Sequence, residues 1–305
     1  MGFAECFQEN NSILMEGALG ERLKREFGLM VDDNVALASV IYNQKGADAL
    51  KIIWEQYISI AKRYHLPFLA TTPTRRANQE RVKKTGYVSS IIDDNVKFLK
   101  DIQQNSGIEM YVGGLMGCKG DAYSGKDGLS IVEAIEFHKW QANLFAESKV
   151  DFLYAGIMPA LPEAVGMANV MSDIELPYII SFTIQKDGKL LDGTTILDAI
   201  INIDNSVKNT PICYMTNCVH PKTVYEALSQ SFNSNESVRK RFLGIQANTS
   251  QLSYEELDNS KELKGSEANE FAQDMINLRK INAMKIFGGC CGTDHNHMEQ
   301  IARRL

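Results

Sequence analysis

Two adjacent cysteines, Cys290 and Cys291, lie in Ile286-Phe287-Gly288-Gly289-Cys290-Cys291-Gly292-Thr293, where an apolar run meets a turn flanked by glycines. Neighbouring side chains on a regular strand point to opposite faces, so vicinal thiols converge only where the backbone leaves strand geometry. The surrounding glycines permit that departure. Two thiolates at a turn form a soft, anionic half-site for zinc, and a catalytic zinc takes three protein ligands while keeping one position for water or substrate. The third ligand comes from Thr216-Asn217-Cys218, which ends another apolar run. Cys218, Cys290 and Cys291 together make a three-thiolate set for Zn2+. Buried packing cysteines and a vicinal disulfide are the competing readings.

For three cysteines so far apart in sequence to meet, the elements beneath them must end on one rim. Eight short apolar runs, at Ile13–Glu16, Pro67–Thr71, Met110–Gly114, Asp151–Ala155, Pro177–Phe182, Ile212–Asn217, Phe242–Gln246 and Ala283–Phe287, read as strands. Between them lie segments with apolar residues every three or four positions: Ala49–Tyr64, Ser130–Ser148, Thr195–Asn205, Thr223–Gln230, Ala268–Asn282 and His297–Leu305. Continuous apolar strands alternating with amphipathic helices predict a parallel sheet covered by helices. Eight such units in 305 residues, with no linker rich in Pro, Gly or Ser, predict an α/β fold of one domain over residues 1–305, a single (β/α)8 TIM barrel. An open doubly wound sheet would carry a glycine fingerprint after its first strand, and Glu16-Gly17-Ala18-Leu19-Gly20 lacks the spacing. Catalytic groups of a barrel sit at the C-terminal strand ends, which places Cys218 after strand six and the cysteine pair after strand eight.

The chain resembles the homocysteine S-methyltransferase family. Thr216-Asn217-Cys218 and Gly288-Gly289-Cys290-Cys291-Gly292-Thr293 carry the likeness, supported by Glu16-Gly17-Ala18, Ile180-Ser181-Phe182-Thr183, Asp192-Gly193-Thr194 and Ala247-Asn248. The resemblance implies that the three cysteines hold zinc, that a substrate thiol joins them as thiolate, and that this sulfur attacks an activated methyl group. Homocysteine, giving methionine, is the implied acceptor, and a sulfonium is the implied donor for a stand-alone barrel. A separate corrinoid protein or a folate donor is left open as the alternative. Glu16 is implied to contact the acceptor's amino group. At the fourth strand, Gly156-Ile157-Met158-Pro159 replaces the family pattern Glu-Thr-Ile-Pro, so the second carboxylate is a glycine. The loop Gly114–Tyr123 also departs from the family's Gly-Pro-Tyr-Gly-like segment.

Other polar residues have both a chemical and a structural reading. Asn217 and Asn248 follow strands six and seven, where they can bind substrate or brace their own turns. Arg75 and Arg76 can clamp a carboxylate or decorate the surface. His220 reads as a loop residue, His295 and His297 as helix-start residues, and Glu163 as a carboxylate placed for the helix macrodipole. Cys118 lies on an active-face loop, whereas Cys213 reads as core.

The bulk composition is that of an ordinary globular protein, with 44% hydrophobic and 23% charged residues. A net charge of −6 without basic runs argues against nucleic acid and against an anionic membrane as partners, leaving a small-molecule thiol and a methyl donor. The N-terminal residues lack the pattern of a secretory signal, and six cysteines in such a chain favour metal or catalytic use, so a cytoplasmic location is expected. A non-catalytic metal- or thiol-binding barrel, or a redox barrel, is the alternative to a transferase.

Overall fold

In the computed structural model, which describes residues 1–252 and 265–305, the eight expected strands are present and close into one barrel. They are β1 (Ile13–Met15), β2 (Phe68–Thr71), β3 (Met110–Gly117), β4 (Phe152–Met158), β5 (Tyr178–Phe182), β6 (Cys213–Val219), β7 (Phe242–Ala247) and β8 (Ile286–Gly289). Each pairs in parallel with its sequence neighbours, and β1 closes on β8 with Leu14 opposite Phe287. This is a single (β/α)8 TIM barrel.

The strands alternate between two cores, which is why their sequences are apolar throughout. Ile13 and Met15 point inward with Leu69, Tyr154, Ile179, Cys213, Met215 and Ile286, while Leu14, Phe68 and Ala70 join the layer between barrel and helices. The helix Gln44–Arg63 shows how that outer layer forms. It buries Leu50, Ile53, Trp54, Tyr57 and Ile60, spaced three or four apart, and Asn43 caps its start by accepting from the Gly46 amide.

A helix that the sequence pattern did not call, Phe3–Glu9, plugs the barrel interior at the end opposite the strand C-termini. Phe3, Cys6 and Phe7 share one face of it, and the Phe3 ring lies 4.5 Å from that of Phe152. Lys285, just before β8, donates to the Phe7 carbonyl at 2.8 Å. With seven residues, the segment is too short for periodicity to announce it. The expected helix Ala268–Asn282 is divided into an α-helix, Ala268–Asn277, and a 3-10 turn, Leu278–Lys280.

The strands run further toward the C-terminal mouth than the sequence indicated. β3 reaches Gly117, β4 Met158 and β6 Val219. Cys218 is therefore inside β6 rather than beyond it. Two of these extensions are irregular: Ile157 and Cys218 have φ of 59° and 61°, and the β4–β5 and β6–β7 pairings shift register beside them. Left-handed backbone at a β-branched residue is uncommon and costs on the order of 1–3 kcal/mol. Both positions are at the mouth.

Candidate metal centre

The sulfurs of Cys218, Cys290 and Cys291 lie within 4.8 Å of one another. Cys218 reaches this point because its left-handed backbone turns it out of strand alternation. Cys290 and Cys291 reach it through the turn after β8. The Cys290 amide donates to the Ala247 carbonyl at 2.7 Å, and the Cys291 carbonyl accepts from the Thr249 amide at 3.1 Å. The Cys290 carbonyl accepts from the Thr293 hydroxyl, which itself accepts from the Ala18 amide at 3.0 Å. Gly292 completes the turn with φ of 83°, where a Cβ would stand 2.0 Å from Thr249 Oγ1. Strands β1, β7 and β8 are thus bound together beneath the cysteine pair.

These residues fit zinc. Zn–S bonds of about 2.3 Å at tetrahedral angles set sulfur separations near ~3.8 Å, so the three thiols need little rearrangement to share one ion. Their protonation points the same way. The neighbouring Cys290 and Cys291 thiols hold the Cys218 thiol well below the ordinary range. Interaction with Cys218, together with burial, pushes Cys290 well up and Cys291 up to about 12, because further ionisation would crowd anions together. A cation removes that conflict. By contrast, burial pushes Cys6 and Cys213 up to about 12 with no thiol cluster beside them, as suits packing residues.

Tyr123, from the loop after β3, packs against Cys218 and helps to hold its thiol low. Sequence reasoning missed it because the loop departs from the family pattern, and no spacing rule links positions 123 and 218. With Ala122 and Cys118 it forms an apolar collar around Ile157, Cys218 and Cys290. Burial pushes the Cys118 thiol up to about 12, and its sulfur donates to the Gly120 carbonyl at 3.6 Å. Among the described residues it is not part of the metal-competent group.

The three expected substrate contacts all face the mouth. Glu16 is buried, with Oε1 accepting from the Thr71 amide (2.9 Å) and hydroxyl (2.6 Å) and Oε2 accepting from Trp54 Nε1 (2.6 Å). Burial pushes its carboxyl up to about 7 against the pull of those donors. Asn217 Oδ1 accepts from the Ile157 amide (3.1 Å) and the Ser181 hydroxyl (2.6 Å), tying β4, β5 and β6 together where β4 is irregular. Asn248 Nδ2 donates to the Cys218 carbonyl at 2.8 Å, while its buried Oδ1 has no partner among the described residues.

Glu163 does more than its helix position indicated. It is 1% exposed, accepts from the Lys119 amide (2.7 Å), pairs with His138 Nε2 (3.0 Å), and so anchors the loop that carries Tyr123. His220 caps the helix Pro221–Ser229, and burial lowers its imidazole to about 4. His297 bonds to Asp294, the cap of the helix His295–Ala302. Both act as the structural readings expected.

Residues 13–305 match the family model for homocysteine S-methyltransferase. The chain belongs to the homocysteine S-methyltransferase family. A curated member, homocysteine S-methyltransferase 3 of Arabidopsis thaliana, is 27% identical over 192 residues, 61% of this chain, and the matched part spans 53% of that relative's length. Among solved structures, the metallated form of the homocysteine methyltransferase MmuM from Escherichia coli has 17% identity and a TM-score of 0.77, with 99% of each chain covered. Its oxidized form has the same identity and TM-score over 98% of this chain and 97% of that one. These likenesses establish a shared fold. The family assignment covers all three cysteines and leaves out residues 1–12, which hold the N-terminal plug helix.

Proposed function

We propose that this barrel is a zinc-dependent S-methyltransferase that moves a methyl group from an activated donor to a small thiol, with homocysteine as the leading acceptor. The observation that carries the reading is the meeting of three thiols, from β6 and the turn after β8, at the mouth of a barrel of this family. Cys218, Cys290 and Cys291 would hold the zinc, and three protein ligands leave room for one more. When bound, zinc favours the deprotonated form of a thiol that is otherwise mostly protonated near neutral pH.

The chain's own residues then have positioning tasks. Asn248 Oδ1, buried and without a partner among the described residues, is oriented to accept a hydrogen bond from substrate. Glu16 Oε2 keeps a lone pair beyond the one that receives Trp54, and this is assigned to the acceptor's amino group. Asn217 acts through the backbone, holding Ile157 against the apolar collar. The collar of Ala122, Ile157 and Tyr123 limits water beside the reacting sulfur. Such positioning of sulfur against methyl carbon contributes several kcal/mol to lowering the barrier.

The donor is assigned as a sulfonium or another activated methyl compound, including one delivered by a separate corrinoid protein. Free thiols at the site call for a reducing compartment, which supports a cytoplasmic location. No helix among the described residues is long and apolar enough to cross a membrane.

Metal analysis and a transfer assay test the proposal together. The wild-type protein should hold about one zinc per chain, following the single set of three thiols. Cys290→Ala should lose the metal and reduce kcat/KM by more than about a hundredfold, the upper end of what losing even an outer partner of a metal ligand costs. Undiminished transfer by a zinc-free variant would overturn the mechanism. A zinc-free wild type isolated with a stable Cys290–Cys291 disulfide would favour a redox barrel instead.

A further inference from the structure

A cleft of about 740 Å³ opens between the loops after β2 and β3, lined by Arg75, Arg76, Arg81, Lys84 and Lys119 with the acids Glu80, Asp121 and Asp127. Five cations in one concavity are conspicuous in a chain of net charge −6. The acids do not neutralise them evenly. Glu80 pairs with Lys119 at 3.2 Å, and Asp121 accepts from the Tyr123 amide at 2.9 Å and the Ser124 hydroxyl at 3.0 Å. Arg81 reaches the Asn34 carbonyl at 3.4 Å. Neither guanidinium of Arg75 or Arg76 makes a hydrogen bond or ion pair among the described residues, and both are only half-buried.

The cleft is continuous with the thiol cluster. Cys118, Ala122 and Tyr123 line it and also pack against Cys218 and Cys290. Arg75 is brought in close because β3 carries Gly117, where a Cβ would lie 2.6 Å from Arg75 Cγ. On the neighbouring strand β4, Gly156, the register partner of Gly117, offers no carboxylate to balance these cations.

We propose that this cleft is an anion subsite, in which Arg75 and Arg76 hold a small molecule carrying at least two carboxylate, phosphate or sulfonate groups while its reacting end lies at the cysteines. The volume falls in the range of small-molecule sites, about 300–1,000 Å³. Guanidinium forks suit planar or tetrahedral oxyanions bidentately. A cationic sulfonium is repelled by this wall, so the occupant is an acidic thiol taking the place of homocysteine as acceptor, or, among the other activated methyl compounds, an acidic donor whose methyl carrier is uncharged. Naming it a substrate rests on the methyl-transfer reading; the binding of a dianion does not.

Calorimetric titration of the zinc-loaded full chain with benzenedisulfonate, against the uncharged benzenedisulfonamide, tests the subsite without turnover. The dianion should bind and the diamide should not. Arg75→Ala and Arg76→Ala should each weaken binding about tenfold or more, as expected for losing a charged hydrogen-bond partner, with Arg76→Lys recovering part. Lys84→Ala, an exposed change that leaves the fold intact, should weaken it less. In the transfer assay, inhibition competitive with the thiol assigns the anionic groups to the acceptor, and inhibition competitive with the donor assigns them to the donor. Equal affinity for dianion and diamide, or unchanged binding in both arginine variants at unchanged zinc content, overturns the proposal. Dianion binding without methylated thiol from any donor would sink the transferase reading and leave the subsite standing.

Discussion

Cys218 shows how one residue's backbone decides a site. Its φ of 61° is unfavourable for a side chain with a Cβ, yet it brings the sulfur to the cysteine pair, while Asn248 holds its carbonyl and Tyr123 packs against its side chain. Outer partners of metal ligands typically contribute ten- to a hundredfold to affinity. Tyr123→Phe should therefore lower zinc affinity by about tenfold with the fold retained, measured by competition with a chromogenic chelator. Glu16 gives a second test at this scale. Its folded carboxyl sits at about 7 against an ordinary 4.5, so between those values the native state binds more protons than the unfolded chain. The stabilisation is complete below the lower value and is lost as pH rises through the upper, a fall of about 3 kcal/mol at about 1.36 kcal/mol per unit. Urea denaturation at about pH 5 and about pH 8 should show this decline in the wild type, and Glu16→Gln should flatten it.

At the level of elements, the barrel was legible because each strand is buried on both faces and so reads as an unbroken apolar run. All eight strands, and the rim at which the three cysteines meet, could be placed from residue types and their spacing, although Cys218 was expected just beyond β6 rather than inside it. The mouth was harder to read, for physical reasons. Ile157 and Cys218 leave regular strand geometry, and nothing in their side chains announces left-handed backbone. Tyr123 and Glu163 act across long separations, on Cys218 and on the Lys119 amide, and pattern reasoning over neighbouring residues does not detect such pairs. The helix Phe3–Glu9 was missed because its stability comes from filling the barrel, not from its own length. Phe3→Ala should accordingly destabilise the protein by about 3–5 kcal/mol, the usual cost of deleting a buried phenylalanine. Zinc content of the folded fraction should be unchanged, since the plug lies at the far end from the cysteines. A drop in metal content matching the loss of stability would show that the two ends are coupled.

The whole molecule separates stability from chemistry along the barrel axis. Its apolar burial lies inside the barrel and between barrel and helices, while the three thiols occupy the rim, fastened by hydrogen bonds from β1 and β7. Small zinc domains unfold without metal because the ion replaces a missing core, and here the core is extensive. Metal removal should therefore leave the fold standing. Zinc at about a hundred times its Kd contributes about 2.7 kcal/mol to the native state. With an unfolding entropy of about 2.1 cal/mol/K per residue, this corresponds to a rise in Tm of about 4 °C for a chain of this length. Chelation should lower Tm by that amount and abolish transfer, while far-UV circular dichroism at room temperature stays the same. Collapse of the dichroism on chelation would mean that the ion organises the barrel as well as the substrate thiol, and the rim could no longer be treated as a site carried on an independently stable scaffold.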